Sequence, residues 1–191
     1  MDTAVFSVQL HQPFLVSSGL SGEGLDSRAR SAVPLPATSL KGVMRASATH
    51  VLGIPGELVD AVYGREGKVG HPGGSAAWGW TDAGPLGAFE FWSRSRNRLD
   101  SQSGGTLAEA LTNTEEIWQK PGRDIRFAVE PLIALSTQDA EMHRAILQAS
   151  AYGVTAIGSW RNRGMGAVTM RPVAPIEGLD SILRKVTHGS V

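Results

Sequence analysis

The sequence predicts an α+β fold with a ferredoxin-like core, in which elements follow in the order strand, helix, strand, strand, helix, strand. Short segments with alternating polar and apolar residues indicate the strands, and two longer segments with apolar residues at helical spacing indicate the helices. At 191 residues and 41% hydrophobic content, the chain is long enough to bury one sizeable core. We therefore expect a single domain over residues 1–191, with insertions between the core elements.

The first strand and the first helix are predicted on either side of a polar loop. Residues 4–10 alternate polar and apolar side chains, which is typical of a strand. Residues 17–31 are too polar, and too often interrupted by glycine, for a regular element. The first helix is predicted over residues 39–52, with Thr38 and Ser39 as candidate N-cap residues.

In the middle of the chain, the sequence predicts short helices and strands and one long insertion. Glu57 to Tyr63 indicate a further helical turn, and residues 76–81 and 86–92 are strand candidates, the second rich in aromatic residues. Residues 94–122 form a long polar excursion. A connection of this length inside a domain is usually functional or an extended hairpin.

The last part of the chain completes the core. Residues 126–130 alternate as a strand, and Ser136 and Thr137 cap a helix that runs to Tyr152. Residues 167–171 alternate as the final strand. This order of elements is shared by many RNA-recognition domains, so the fold is also RRM-like.

The loop before the final strand combines glycines with two arginines and an aromatic residue, over Gly158-Ser159-Trp160-Arg161-Asn162-Arg163-Gly164-Met165-Gly166. Glycines allow a backbone to approach a phosphate closely, Arg161 and Arg163 can neutralise that phosphate, and Trp160 offers a stacking face. The alternative is a tight turn with solvated arginines. A nucleotide-binding P-loop is disfavoured because the Gly-Lys-Ser/Thr ending is missing.

Composition restricts the partners and the compartment. The 18 basic and 18 acidic residues balance, so the chain is not a general polycation and any RNA site must be local. Without cysteine, the chain has neither disulfides nor cysteine-based metal sites, which fits a reducing cytosol. No segment approaches the length of a membrane span, so we expect a cytoplasmic protein without a membrane partner.

Several motifs resemble one known superfamily. The segment Pro36-Ala37-Thr38-Ser39-Leu40-Lys41-Gly42-Val43-Met44-Arg45 resembles the signature that opens the first helix in the RAMP proteins of CRISPR systems, namely proline, a small residue and Ser-Leu-Lys-Gly-x-x-Arg. The glycine and arginine loop is the other hallmark of that superfamily. Further matches follow in order: Tyr63-Gly64 with Asp82-Ala83, Arg96-Asn97-Arg98-Leu99-Asp100 with Thr106-Leu107, and Glu115-Glu116 through Pro121-Gly122 to Phe127.

Together these motifs are similar to the backbone subunits of type III effector complexes, which multimerise along a CRISPR RNA. The chain departs from them at Ala37, where glycine is common, and in its short length. The resemblance implies that the partners are the guide RNA, the target RNA, further copies of the chain and other effector subunits.

The resemblance also implies which residues contact RNA. The start of the first helix would offer its amides and its dipole to a phosphate. The alternative is an ordinary capped helix with Lys41 and Arg45 in solvent. Gly42 costs a helix about 1 kcal/mol relative to alanine, so we expect something to pack closely against it. The expected RNA-binding residues are Ser39, Lys41, Gly42, Arg45, Arg96, Arg98, Trp160, Arg161, Arg163, Gly164 and Gly166.

The excursion over residues 94–122 resembles the thumb hairpin that, in these subunits, reaches over the neighbouring subunit's duplex. Leu99 or Leu107 would act as a wedge, while Arg96 and Arg98 hold phosphates. The alternative is a disordered surface loop. Trp92 and Trp118 flank the excursion and are interpreted as core anchors.

Asp26 is the candidate catalytic residue. It lies in Gly22-Glu23-Gly24-Leu25-Asp26, where the resemblance places the catalytic aspartate of subunits that cleave target RNA. Such an endoribonuclease would use Mg²⁺ or another divalent cation, held by Asp26. The alternatives are a loop aspartate in a non-catalytic scaffold or capping subunit, and a guide-precursor endoribonuclease that uses His11 as acid or base.

Overall fold

The computed structural model of the chain describes residues 3–17, 19, 27–65, 67, 72–99 and 106–188; for residues 96–99, 106–111, 162 and 185–188 it describes the backbone alone. The helices and strands follow in the order β1 (Ala4–Leu10), α1 (Ala37–Ala46), α2 (Gly56–Tyr63), β2 (Trp78–Trp80), β3 (Phe89–Leu99), β4 (Thr106–Gln119), β5 (Ile125–Pro131), α3 (Thr137–Tyr152), β6 (Val168–Pro172) and α4 (Leu179–His188). A π-helical turn over Ser47–Val51 extends α1, and 3-10 turns lie at Leu86–Ala88 and Arg161–Arg163.

Four strands form one antiparallel sheet in the order β2-β5-β1-β6. The third core strand in the chain, β5, thus lies between the first two, and the fourth lies on the other side of β1. This is the split βαβ arrangement of a ferredoxin-like fold, so the predicted α+β class is confirmed. Phe6 of β1 is opposite Phe127 of β5, and the two rings stack with their centroids 5.2 Å apart.

The alternating pattern of the strands determines where the core lies. Phe6, Val8 and their cross-strand neighbours are buried, whereas the intervening residues on the same strands lie on the more exposed face. Leu40 and Met44 of α1 are fully buried in the same core. On α3, the buried His143 accepts a hydrogen bond at Nδ1 from the indole Nε1–H of Trp78, at 3.2 Å.

The N-termini of α3 and α1 are capped in different ways. Ser136 caps α3 as predicted, because its hydroxyl accepts a hydrogen bond from the backbone N–H of Asp139 at 3.1 Å. Helix α1 begins at Ala37, two residues before the predicted start, without a side-chain cap from its own N-cap residue. Asp82, distant in sequence, accepts the N–H of Ala37 at 2.8 Å instead.

Strands β3 and β4 form a separate two-stranded antiparallel sheet. The strand predicted over residues 86–92 is thus a 3-10 turn followed by the start of β3, and it does not join the main sheet. Phe14 bridges to Ile117 of β4 and packs edge-on against Phe89, which fixes the base of the hairpin on the core. The side chains of Arg96, Arg98, Leu99 and Leu107 lie outside the described residues.

Helix α4 was not predicted from the sequence. A ten-residue helix is marginal by itself in water. Leu183 of α4 packs against the core beside α3, and this tertiary contact stabilises the helix. Among the helices in the described part of the chain, none is long and apolar enough to cross a membrane.

Candidate functional site

A groove of about 440 Å³ lies between α1 and the glycine loop. The two motifs are far apart in the sequence, and the fold brings both to one depression, together with the segment after β1. The lining residues are Leu15, Val16 and Ser17 from that segment, Ser39, Gly42, Val43 and Ala46 from α1, and Gly158, Ser159 and Arg161 from the loop.

Two glycines of the loop lie in close contact with backbone carbonyl groups of other residues, Gly158 with Leu15 and Gly166 with Ile157. Gly158 has a φ of +75°, and a Cβ atom there would lie 2.5 Å from the carbonyl oxygen of Leu15. The N–H of Ser159 donates to that same oxygen at 2.8 Å. Gly166 has a φ of +77°, and a Cβ atom there would overlap the carbonyl oxygen of Ile157. The internal packing of the chain therefore requires these glycines, quite apart from any approach to a phosphate.

The tip of the loop is a single 3-10 turn that presents two arginines. Trp160 and Gly164 flank the turn in left-handed conformations, with φ of 58° and 74°. Trp160 is half-buried and packs against the hydrophobic core, so it helps to anchor the loop, and its stacking on RNA stays a prediction. Arg161 and Arg163 are exposed, and neither guanidinium is paired with a carboxylate among the described residues.

The two basic residues of α1 do not line this groove. Successive residues of a helix are 100° apart, so positions 41 and 45 lie opposite the groove-lining side of α1. Lys41 lies over the ring of Trp80, 5.4 Å from its centroid. Burial and then the charge of Arg45 lower the pKa of Lys41. Arg45 donates to Asp60 at 2.8 Å and to the carbonyl of Gly64 at 2.6 Å, so it connects α1 to α2.

The start of α1 has one anionic contact within the chain. The carboxylate of Asp82 accepts the N–H of Ala37, so this amide is already bonded, and phosphate binding by the rest of the helix N-terminus stays a prediction. Gly42 is exposed, and a Cβ atom there would meet no described atom within 4 Å. The close packing expected at Gly42 is therefore not made by the described part of the chain, and this position faces the open groove.

Asp26 lies outside the described residues, but both ends of its loop are described. Ser17 lines the groove, and the hydroxyl of Ser27 donates to the hydroxyl of Ser17 at 3.2 Å. Glu115 of β4 holds the returning chain, because its N–H donates to the carbonyl of Ser27 at 3.1 Å and its carboxylate accepts the N–H of Ala29 at 2.9 Å. The described residues Ser17 and Ser27, on either side of Asp26 in the sequence, are therefore bonded to each other beside the groove.

The other candidate groups for chemistry, metal ligands and His11, do not lie at the groove in the described part of the chain. Among the described residues, no three acidic or histidine side chains are close enough together to hold a metal ion. His11 lies at the end of β1, where its Nε2 and the hydroxyl of Thr169 are 2.7 Å apart. It does not line the groove.

The fold and the groove together define the class of this protein: a ferredoxin-like α+β domain in which an arginine-bearing glycine loop faces the first helix. Two solved structures contain chains with the same fold. One is a chain of the type III-B Cmr-beta complex bound to cognate target RNA, solved by cryo-electron microscopy. It aligns with a TM-score of 0.69 and 12% identity over 95% of this chain and 99% of that chain.

A chain of the same complex in its apo state aligns with a TM-score of 0.67 and 12% identity, over 93% of this chain and 98% of that chain. No protein-family model matches the sequence, and no curated protein sequence matches it. At this level of identity the similarity shows a shared fold. The predicted ferredoxin-like fold is thus confirmed.

Proposed function

We propose that this chain is a backbone subunit of a type III CRISPR effector complex and that it holds the guide RNA in the groove between α1 and the glycine loop. The observation that supports this proposal best is the meeting of the two sequence motifs across one groove. The shared fold with chains of the Cmr-beta complex, one of them bound to target RNA, supports the same function.

The charge distribution determines how the groove would bind RNA. The chain has no net charge, so attraction to phosphates must come from local groups. Arg161 lines the groove, and Arg163 in the same 3-10 turn provides a second exposed positive charge. The hydroxyls of Ser39 and Ser159 line the groove and can donate hydrogen bonds to phosphate oxygens. Contacts of this kind position the RNA backbone without reading its sequence.

The direct test is the affinity of the purified chain for a fluorescein-labelled single-stranded RNA of mixed sequence, measured by anisotropy over a salt series. Each phosphate contact contributes about 0.7 to the slope of log affinity against log salt for a single strand. Replacing both Arg161 and Arg163 with alanine should therefore weaken binding and reduce the slope by about 1.4. Arg123→Ala changes an exposed arginine outside the groove and serves as the control. Equal losses in both proteins would contradict the proposed site.

We further propose that Asp26 supports cleavage of the target RNA. The reason is positional: Asp26 precedes Ser27, whose hydroxyl is bonded to the groove-lining Ser17. A divalent cation would stabilise negative charge on the reacting phosphate. Asp26 is the residue that would hold this cation.

Cleavage and assembly can be tested separately in the complete effector complex. Asp26→Ala should abolish cleavage of a complementary RNA while the native mass of the complex stays the same. Undiminished cleavage would refute the catalytic role and leave a structural subunit. Metal-independent cleavage of the guide precursor that is lost in His11→Ala would indicate a processing enzyme. The same mass measurement gives the copy number, and a single copy per complex would indicate a capping subunit instead of a backbone subunit.

A further inference from the structure

The hairpin contains a second depression, separate from the groove, with a volume of about 380 Å³. Its walls are side chains on one face of the two strands. In the register of the hairpin, Trp92 lies opposite Glu116 and Glu90 lies opposite Trp118, so the two indoles are diagonal neighbours. The lining residues of this indole cleft are Glu90, Trp92, Ser93, Arg94, Glu116 and Trp118.

Trp92 is not the core anchor that the sequence suggested. Its side chain is 58% exposed, whereas Trp118 is half-buried. An exposed indole beside a concave surface leaves a large apolar face in water, and such residues are enriched where proteins bind partners. The indole cleft is thus a candidate interaction site.

The charges of the indole cleft determine which ligand it suits. Glu116 has a side chain that is only 2% exposed, and its Oε2 lies 3.3 Å from Nε of Arg94. Glu90 is half-buried and forms no ion pair with a described residue. The carboxylate of Glu90 therefore has no cationic partner among the described side chains. A carboxylate repels a phosphate and attracts a cation.

An indole face next to a carboxylate is suited to a guanidinium or an ammonium group. The cation lies over the ring, and the carboxylate accepts its hydrogen bonds, in pairs when the cation is arginine. The chain contains one such contact in its own fold, since Nζ of Lys41 lies 5.4 Å from the centroid of the Trp80 ring.

We propose that the indole cleft receives an arginine side chain from a neighbouring protein subunit, with the guanidinium over Trp92 and paired with Glu90. This interaction site is independent of the proposed RNA groove, because the two depressions share no lining residue. The carboxylate of Glu90 favours this occupant over a nucleobase, whose phosphate would be brought next to that carboxylate.

The test uses the whole chain, labelled with ¹⁵N, and two capped tripeptides, acetyl-Gly-Arg-Gly-amide and the same peptide with citrulline. Citrulline keeps the shape of arginine and removes its charge. The five tryptophans give five indole N–H signals, and Trp92→Phe identifies the relevant one. We expect the arginine peptide to shift the Trp92 signal in a saturable manner and the citrulline peptide to leave it in place.

Three variants distinguish binding of the arginine peptide at the indole cleft from non-specific electrostatic attraction between the peptide and the chain. Glu90→Gln should weaken binding of the arginine peptide about tenfold, as expected for the loss of a charge-assisted hydrogen bond. Glu57→Gln removes an exposed carboxylate in the first turn of α2 and should change nothing. In Trp92→Leu the peptide should no longer bind, while the other indole signals keep their positions and report that the fold is intact.

Three results would overturn the proposal. The citrulline peptide would bind as well as the arginine peptide, or the affinity would be the same in Glu90→Gln, or the Trp92 signal would respond to guanosine monophosphate and not to the arginine peptide. The last result would make the cleft a base-stacking platform. The RNA affinity of Trp92→Leu is measured separately and is expected to be unchanged. A failure of the proposed arginine site can therefore be distinguished from a failure of the proposed RNA groove.

Discussion

Replacement of Gly42 should change stability and RNA affinity in opposite directions. A glycine inside a helix costs about 1 kcal/mol relative to alanine. A Cβ atom at Gly42 would meet no described atom within 4 Å, so Gly42→Ala has no steric cost within the described part of the chain. We therefore expect a gain of about 1 kcal/mol in the free energy of unfolding. For a chain of this length that gain raises Tm by about 2–4 °C.

The same position lines the proposed RNA groove. A side chain at Gly42 projects into the space that the RNA backbone would occupy, so Gly42→Leu should weaken RNA binding at least tenfold, or by about 1.4 kcal/mol. Stability is measured by urea unfolding followed by circular dichroism, and affinity by fluorescence anisotropy. Gly56→Leu is the control for affinity, since Gly56, the first residue of α2, also has no described atom within 4 Å of its Cβ position and lies outside the groove.

Two outcomes would refute this reasoning. Unchanged RNA affinity in Gly42→Leu would show that the groove is not the RNA site. A loss of stability in Gly42→Ala would show that this side of α1 is packed against another part of the chain.

Three further changes should act mainly on stability. Gly166→Ala should destabilise the chain by about 2 kcal/mol in urea unfolding, because it introduces both a strained φ and a steric overlap. Arg45→Ala should cost about 1 kcal/mol through loss of its partly exposed pair with Asp60, and anisotropy should show unchanged RNA affinity. Burial lowers the pKa of His143, although the nearby charge of Asp139 opposes the shift. The unfolded chain therefore binds the proton more readily, so this contribution to stability is complete above pH of about 6.5 and is lost as the pH falls towards the folded pKa. Unfolding measured between pH 5 and 8 should show this loss, and the His143→Gln variant should show a flatter profile.

Much of the fold was predictable because its signals are local. The alternation in β1 and β5 and the Ser136 cap of α3 depend on residues close together in the sequence. The start of α1 was not predictable in this way, since its N-terminal amide is bonded to Asp82, 45 residues away. Helix α4 was missed for a related reason: it is stabilised by packing against the core, which leaves no strong local signal.

The candidate site, like the fold, was predictable from the sequence only in part. The glycine loop and the motif at the start of α1 were recognisable from residue types, and their common side of the sheet followed from the order of elements. Helical periodicity shows which residues share a side of α1, but it does not show which side faces the loop. Lys41 and Arg45 were therefore included in the predicted site although they face Trp80 and Asp60.

By itself, the sequence determined the α+β class, the order of the core elements and the two motifs, because these depend on periodicity and on residue type. Only the tertiary structure decided that Ser17 and Leu15 line the groove, that Trp160 packs against the core and that Trp92 is exposed. Burial and hydrogen bonding depend on which distant segments meet. That arrangement is set by the packing of the whole core and not by any single stretch of the chain.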